Sequence, residues 1–176
     1  MRKNVTFLFL CFFTLSAFSN NPKNGKPTYT AIKTDTPPVI DGIAAAGEWD
    51  HANIADNFTQ YRPNSGEPAT QKSEIRVTYD DRYVYVCAVM FDSEPDKIAA
   101  QLFRRDGHGY SDWFEVSLDS YGDQRTAFVF GINPRGVKRD ILFYNDDEED
   151  SSWAAVWDGA AHIHEHGWTR ELRIKF

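Results

Sequence analysis

Residues 74–91, EIRVTYDDRYVYVCAVMF, constrain the fold more than any other part of the chain. In residues 74–79 the apolar side chains Ile75, Val77 and Tyr79 alternate with Glu74, Arg76 and Thr78. A period of two is the mark of a strand with one buried face. Asp80 and Asp81 supply turn chemistry. Residues 83–91 then run apolar on both faces, which predicts a central strand covered from both sides. A hairpin whose second strand is sealed on both sides needs other layers to seal it.

Further strands supply those layers. Residues 112–119 (DWFEVSLD) place Phe114, Val116 and Leu118 inward, with Trp113, Glu115 and Ser117 on the opposite face. Residues 126–132 and 137–144 flank Asn133-Pro134-Arg135-Gly136, which reads as a hairpin turn. Residues 168–176 alternate again, Trp168, Leu172, Ile174 and Phe176 against Thr169, Glu171, Arg173 and Lys175. Helix signals are confined to residues 95–101 and 44–49. The predicted fold class is all-β: an antiparallel β-sandwich, two packed sheets in a jelly-roll or immunoglobulin-like arrangement, with minor helix.

The chain opens with Arg2 and Lys3, an apolar run to about Phe18, and then Asn20, Asn21 and Pro22. This pattern, with Ala17 and Ser19 as small residues for cleavage, predicts a signal peptide over residues 1–19 rather than a membrane span. The expected destination is the periplasm, the outer membrane or the extracellular space. A polar leader follows over residues 20–28, and the sandwich occupies residues 29–176. The alternation reaches Phe176 without a turn or polar tail, so the natural polypeptide is expected to continue. Cleavage leaves Cys87 alone, so burial and hydrogen bonds, not a disulfide, must hold the domain. The 19 Lys and Arg against 26 Asp and Glu give a net charge of −7, which argues against a nucleic-acid partner.

Three stretches together point to a family. Ile40-Asp41-Gly42 with Glu48-Trp49, the hairpin described above, and SDWFEVSLD resemble the family 9 carbohydrate-binding module, a β-sandwich attached to secreted xylan-degrading enzymes. The segment GWTRELRIKF fits the last-but-one region of that family, and the resemblance runs from about residue 38 to the end. RRDGHGYSDWF and NPRGVKRD look more like a related group in which such a domain precedes a probable outer-membrane β-barrel region. The resemblance implies a non-catalytic module whose partner is a polysaccharide or oligosaccharide, with a barrel region of the same polypeptide as a further partner. Its D-x-x-E strand corresponds to Asp112-Trp113-Phe114-Glu115, which makes Glu115 the matching carboxylate. Gly109 stands where the family has its first platform tryptophan, and Gly131 where it has an arginine. Its second platform tryptophan lies beyond Phe176.

A saccharide site needs an aromatic platform with carboxylate, amide or guanidinium partners, because a sugar presents apolar C–H faces and hydroxyl edges. Trp153 and Trp157 are four apart and share a face in a strand or a helix. They serve either as a substitute platform, with Asp150 and Asp158 beside them, or as core. The candidate carbohydrate-binding residues are therefore Glu115, Trp153, Trp157, Tyr110 and Arg105, the last either donating to hydroxyls or stiffening its loop against Asp106. The acidic run of residues 146–150 offers oxygen ligands for Ca²⁺, or is a solvated part of a long loop; no cofactor is otherwise expected. His162, His164 and His166 share one face of a strand begun at Ala161, as a transition metal would need, or simply line an exposed face. Asp112 and Glu115 are an odd number apart and point to opposite faces, which argues against a paired catalytic acid and base.

Overall fold

A computed structural model describes residues 27–145 and 147–175. The predicted signal peptide, most of the polar leader, Asp146 and Phe176 lie outside the described residues. Among the described residues nine strands form two sheets. In chain order they are β1 (Ile32–Lys33), β2 (Ser73–Tyr79), β3 (Tyr83–Phe91), β4 (Phe114–Leu118), β5 (Ala127–Ile132), β6 (Lys138–Tyr144), β7 (Glu148–Asp150), β8 (Trp157–His164) and β9 (Gly167–Lys175). The five-stranded sheet runs β1-β2-β3-β9-β8 and the four-stranded sheet β4-β5-β6-β7. All named pairs are antiparallel except the short β1–β2 pair. The two-sheet sandwich expected from the alternation is present.

The core follows the parity of the strands. Val77 of β2, Val84, Val86 and Ala88 of β3, and Leu172 and Ile174 of β9 face Phe114, Val116, Phe130 and Ile132 of the other sheet. β3 is central and buried on both faces, as its unbroken apolar run requires. Asn133 closes the β5–β6 hairpin: its carboxamide oxygen accepts the N–H of Val137 (2.8 Å) and Arg135 (3.0 Å). Among the described residues helix is reduced to one 3-10 turn, Pro95–Lys97. Residues 44–49 form turns instead of a helix, because they fold over the five-stranded sheet to bury Trp49 rather than to propagate i to i−4 bonds.

That cap explains the Ile40-Asp41-Gly42 and Glu48-Trp49 motifs. Glu171 points out from β9 on the side away from the other sheet, yet it is fully buried. Its carboxylate accepts from the Trp49 indole (2.8 Å), the Asp41 N–H (3.1 Å) and the Gly42 N–H (3.0 Å). Gly42 has φ +86 and lies against the backbone of Ala161, so no side chain fits there. Trp49, Tyr85 and Cys87 form a small second core under this cap. Cys87 is inert there: burial pushes its thiol up to about 12.

The expectation of one long loop through residues 144–159 is corrected. Residues 148–150 extend the four-stranded sheet as β7, with Leu142 opposite Asp150 and Tyr144 opposite Glu148. The half-buried end of β6 is thereby paired despite the charge of its partner strand.

Candidate functional site

Among the described residues nothing caps the outer face of the four-stranded sheet as the cap over Glu171 does on the other sheet. Glu115 of β4 lies opposite Gly131 of β5, which lies opposite Arg139 of β6. Arg139 therefore reaches across Gly131 to Glu115, with Nε at 2.6 Å and Nη2 at 2.5 Å from Oε1. A Cβ on residue 131 would stand 2.8 Å from the Arg139 side chain and 3.0 Å from Oε1, so the missing side chain is what lets the pair form. The guanidinium carbon also lies 4.0 Å from the centre of the Trp113 ring, a cation–π stack that fixes the plane of the pair. Arg139 engages only Oε1, and both side chains remain about one-third exposed.

Arg139 was not among the residues singled out from the sequence. Its signal lies in the hairpin: a turn over residues 133–136 that pairs Ile132 with Lys138 also pairs Gly131 with Arg139. An arginine one strand away thus occupies the row where the family resemblance puts one at Gly131.

Gly109 has a similar counterpart. A Cβ there would fall 2.3 Å from the Phe103 ring, which occupies that space and packs at 5.9 Å, tilted, on Trp113. Phe103 and Trp113 thus form an aromatic floor beside the Glu115–Arg139 pair. Tyr110 projects from the same loop with 84% of its surface exposed, its backbone N–H held by the Gln101 carboxamide (2.9 Å).

The remaining candidates are not gathered at this face. Trp157 is 4% exposed and packs edge-on against Phe130 at 5.7 Å, so its ring offers no face to a ligand. The reading of Trp157 as half of a platform is corrected: at the start of β8 its parity turns it into the sandwich. Trp153 precedes the strand, is half-buried, and lies against Phe128 (5.0 Å) and Phe130 (5.9 Å). Arg105 stiffens its loop as expected, with Nε 3.5 Å from the Asp106 carboxylate, and takes a second, closer partner. Its Nε (3.1 Å) and Nη2 (2.5 Å) bind the carboxylate of Asp140, which is fully buried, while Nη2 also donates to the Ala155 carbonyl (2.9 Å). Asp140 takes in addition the Ala155 N–H (2.5 Å) and the Trp157 indole (3.4 Å). This clasp ties the loop before Tyr110 and the loop before β8 to β6.

Beside the clasp, Lys138 donates to the Trp157 carbonyl (2.9 Å) and lies over the Trp157 ring (4.9 Å). Burial, with Arg105 nearby, pushes its ammonium down from the usual lysine range. It lines a shallow cavity of about 410 Å³ with Pro38, Val39, Ile40, Asp158 and Arg173. The three histidines do not share one strand face: His162 and His164 sit on β8, whereas His166 lies in the turn and meets the His164 ring edge-on at 6.4 Å. His164 accepts the His166 N–H at Nδ1 and meets Thr169 Oγ1 at 3.1 Å, and burial holds its imidazole below the usual range. Among the described residues no group of three His, Cys, Asp or Glu is placed to hold a metal ion. In β7 Glu148 and Asp150 face one way and Glu149 the other, so the acidic run is split between two faces.

No protein-family model matches the chain, and no curated protein matches it by sequence. Solved structures share its fold. A family 9 carbohydrate-binding module from Caldicellulosiruptor kristjanssonii, in complex with cellotriose, superposes with a TM-score of 0.59 at 16% identity, covering 83% of this chain and 67% of that one. The same organism's module bound to glucose gives 0.58 at 17% identity, over 82% and 68%. A Bacteroides uniformis protein provisionally described as carbohydrate-binding gives 0.62 at 12% identity, over 82% and 71%. At these identities the likeness establishes the sandwich and its strand arrangement.

Proposed function

We propose that this domain is a non-catalytic carbohydrate-binding module, exported by its signal peptide to the periplasm, outer membrane or exterior. It would work within a larger polysaccharide-processing or outer-membrane protein. The observation that carries this reading is the Glu115–Arg139 pair, held across Gly131 and stacked on Trp113 on the uncapped face. A hydroxyl laid on such a pair donates to the carboxylate and accepts from the guanidinium, so one group satisfies both charges. Trp113, Phe103 and the projecting Tyr110 supply ring surface for the C–H face of the sugar. Cellotriose and glucose, the ligands of the family 9 structures, are the first saccharides to try.

A second reading, an interaction domain of an envelope protein without sugar binding, is favoured by Arg139 lying over one face of Trp113. Calorimetric titration separates the two. The proposal expects saturable binding of cellotriose, xylotriose or another neutral oligosaccharide, weakened at least tenfold in Glu115→Ala with the fold intact. Saccharide binding unaffected by Glu115→Ala, or no binding across a neutral panel, rejects it.

A further inference from the structure

The inner side of the four-stranded sheet is less deeply covered at one end. On its inner side Phe114, Val116, Phe130 and Ile132 are buried, but one step further along the strands Leu118, Phe128 and Leu142 are only half-buried. Trp153 and Tyr121 are laid on this shelf, both in ring contact with Phe128, at 5.0 Å (52°) and 5.8 Å (59°). Trp153 meets Trp157 only through Phe130, and through Phe128 it also joins Tyr121.

Tyr121 is 71% exposed and yet held in place. The Asp119 carboxylate accepts the N–H groups of Gly122 (2.7 Å), Asp123 (3.2 Å) and Gln124 (2.9 Å), closing the loop that carries it. Asp123 in turn accepts from the N–H groups of Arg125 (2.9 Å) and Thr126 (2.7 Å) and from the Thr126 hydroxyl (2.8 Å). An exposed ring on a loop so tied has already lost most of the freedom that binding would cost it. Beside Trp153, Asp150 is oriented by Ser152, through the N–H (2.8 Å) and the hydroxyl (2.6 Å). Those bonds hold the Asp123 and Asp150 carboxyls below the usual carboxylate range, so both stay ionised acceptors, with lone pairs to spare, in mildly acid solution.

We infer that the shelf formed by Tyr121, Phe128 and Trp153 is a second saccharide-binding site, separate from the Glu115 face and suited to a neutral sugar unit. Tyr121 and Trp153, each tilted by about 50–60° to the Phe128 ring between them, cradle the C–H face of a pyranose, while carboxylates at the fringe accept its hydroxyl protons. Asp119, Asp123 and Asp150 outnumber Arg125, the cation beside Asp123, and this balance disfavours a uronate or a phosphate. The site extends the proposed carbohydrate-binding reading and can be tested apart from it.

The test titrates the full chain with cellohexaose and xylohexaose, following the assigned indole N–H signals of Trp153 and Trp113 by NMR. Glu115→Ala disables the outer face only. Tyr121→Ala removes an exposed ring from the shelf, and Tyr121→Phe keeps the ring. The inference expects the Trp153 signal to move in both wild type and Glu115→Ala. It expects about tenfold weaker binding at the shelf in Tyr121→Ala and near wild-type binding in Tyr121→Phe. A Trp153 signal that stays fixed while Trp113 responds overturns the second site and leaves the Glu115 face standing. Movement of Trp153 alone supports the shelf and rejects the Glu115 face. Silence of both signals rejects both sites.

Discussion

The outward faces of the two sheets each carry a glutamate, and their surroundings could hardly differ more. Glu171 on the five-stranded sheet is sealed under a cap, with three N–H donors closed around its carboxylate. Glu115 on the four-stranded sheet stays exposed, pinned through one oxygen to Arg139 and stacked beside Trp113. Both side chains are rigid, but only one can meet a ligand. A carboxylate buried under a cap, with donors closed around both of its oxygens, contributes to the fold. One held through a single oxygen by a partly exposed guanidinium, over a glycine that admits it, keeps its other oxygen open, as the proposed sugar site requires.

The contrast can be broken from the capped side first. Trp49→Ala removes the indole that both fills the second core and donates to Glu171, and should cost about 3–5 kcal/mol in a denaturant titration. A cost below about 1 kcal/mol would mean that the cap is an appendage. Next, Asp140→Ala leaves Arg105, the Ala155 N–H and the Trp157 indole without their acceptor, and should destabilise by about 2–3 kcal/mol. The loop carrying Tyr110 would loosen with it, visible as faster amide exchange over residues 104–110.

A smaller, pH-dependent difference sharpens the comparison. Burial pushes the Glu171 carboxyl up despite its three donors, so the folded chain keeps that proton to higher pH than the unfolded one. Its stabilising contribution is then complete below the ordinary value of 4.5 and is lost as pH rises through the raised one. Glu171→Gln cannot titrate. The stability of wild type minus that of Glu171→Gln should therefore fall as pH rises above the ordinary value of 4.5, whatever the other carboxylates do. A difference that rises with pH would show that the three N–H donors outweigh burial. Smallest of all, Glu115→Ala should change stability by no more than about 1 kcal/mol, because the pair it breaks is partly solvated.

The strands were legible where one face or both faces are sealed by apolar side chains. Residues 83–91 read correctly as a central strand, and the Asn133 turn as a hairpin, because period and turn chemistry are local. What could not be read is what covers an outward face. Alternation sets Glu171 opposite the core face, and nothing in residues 168–176 tells that a segment some 130 residues earlier buries it. The site divides in the same way. Glu115 was found through the D-x-x-E resemblance, whereas Arg139 depends on two strand registers, of which only the hairpin's can be counted from sequence. Trp157 and Trp153 share a parity, but they part because one lies in β8 and the other before it.

The most direct measurement maps backbone amide shifts on both faces of the ¹⁵N-labelled domain during titration with cellotriose and xylotriose. The account predicts saturable shifts at Glu115, Gly131 and Arg139, with the amides of Asp41, Gly42, Trp49 and Glu171 unmoved. Shifts confined to the capped face, or no shift at the Glu115 face at saturating ligand, would contradict it.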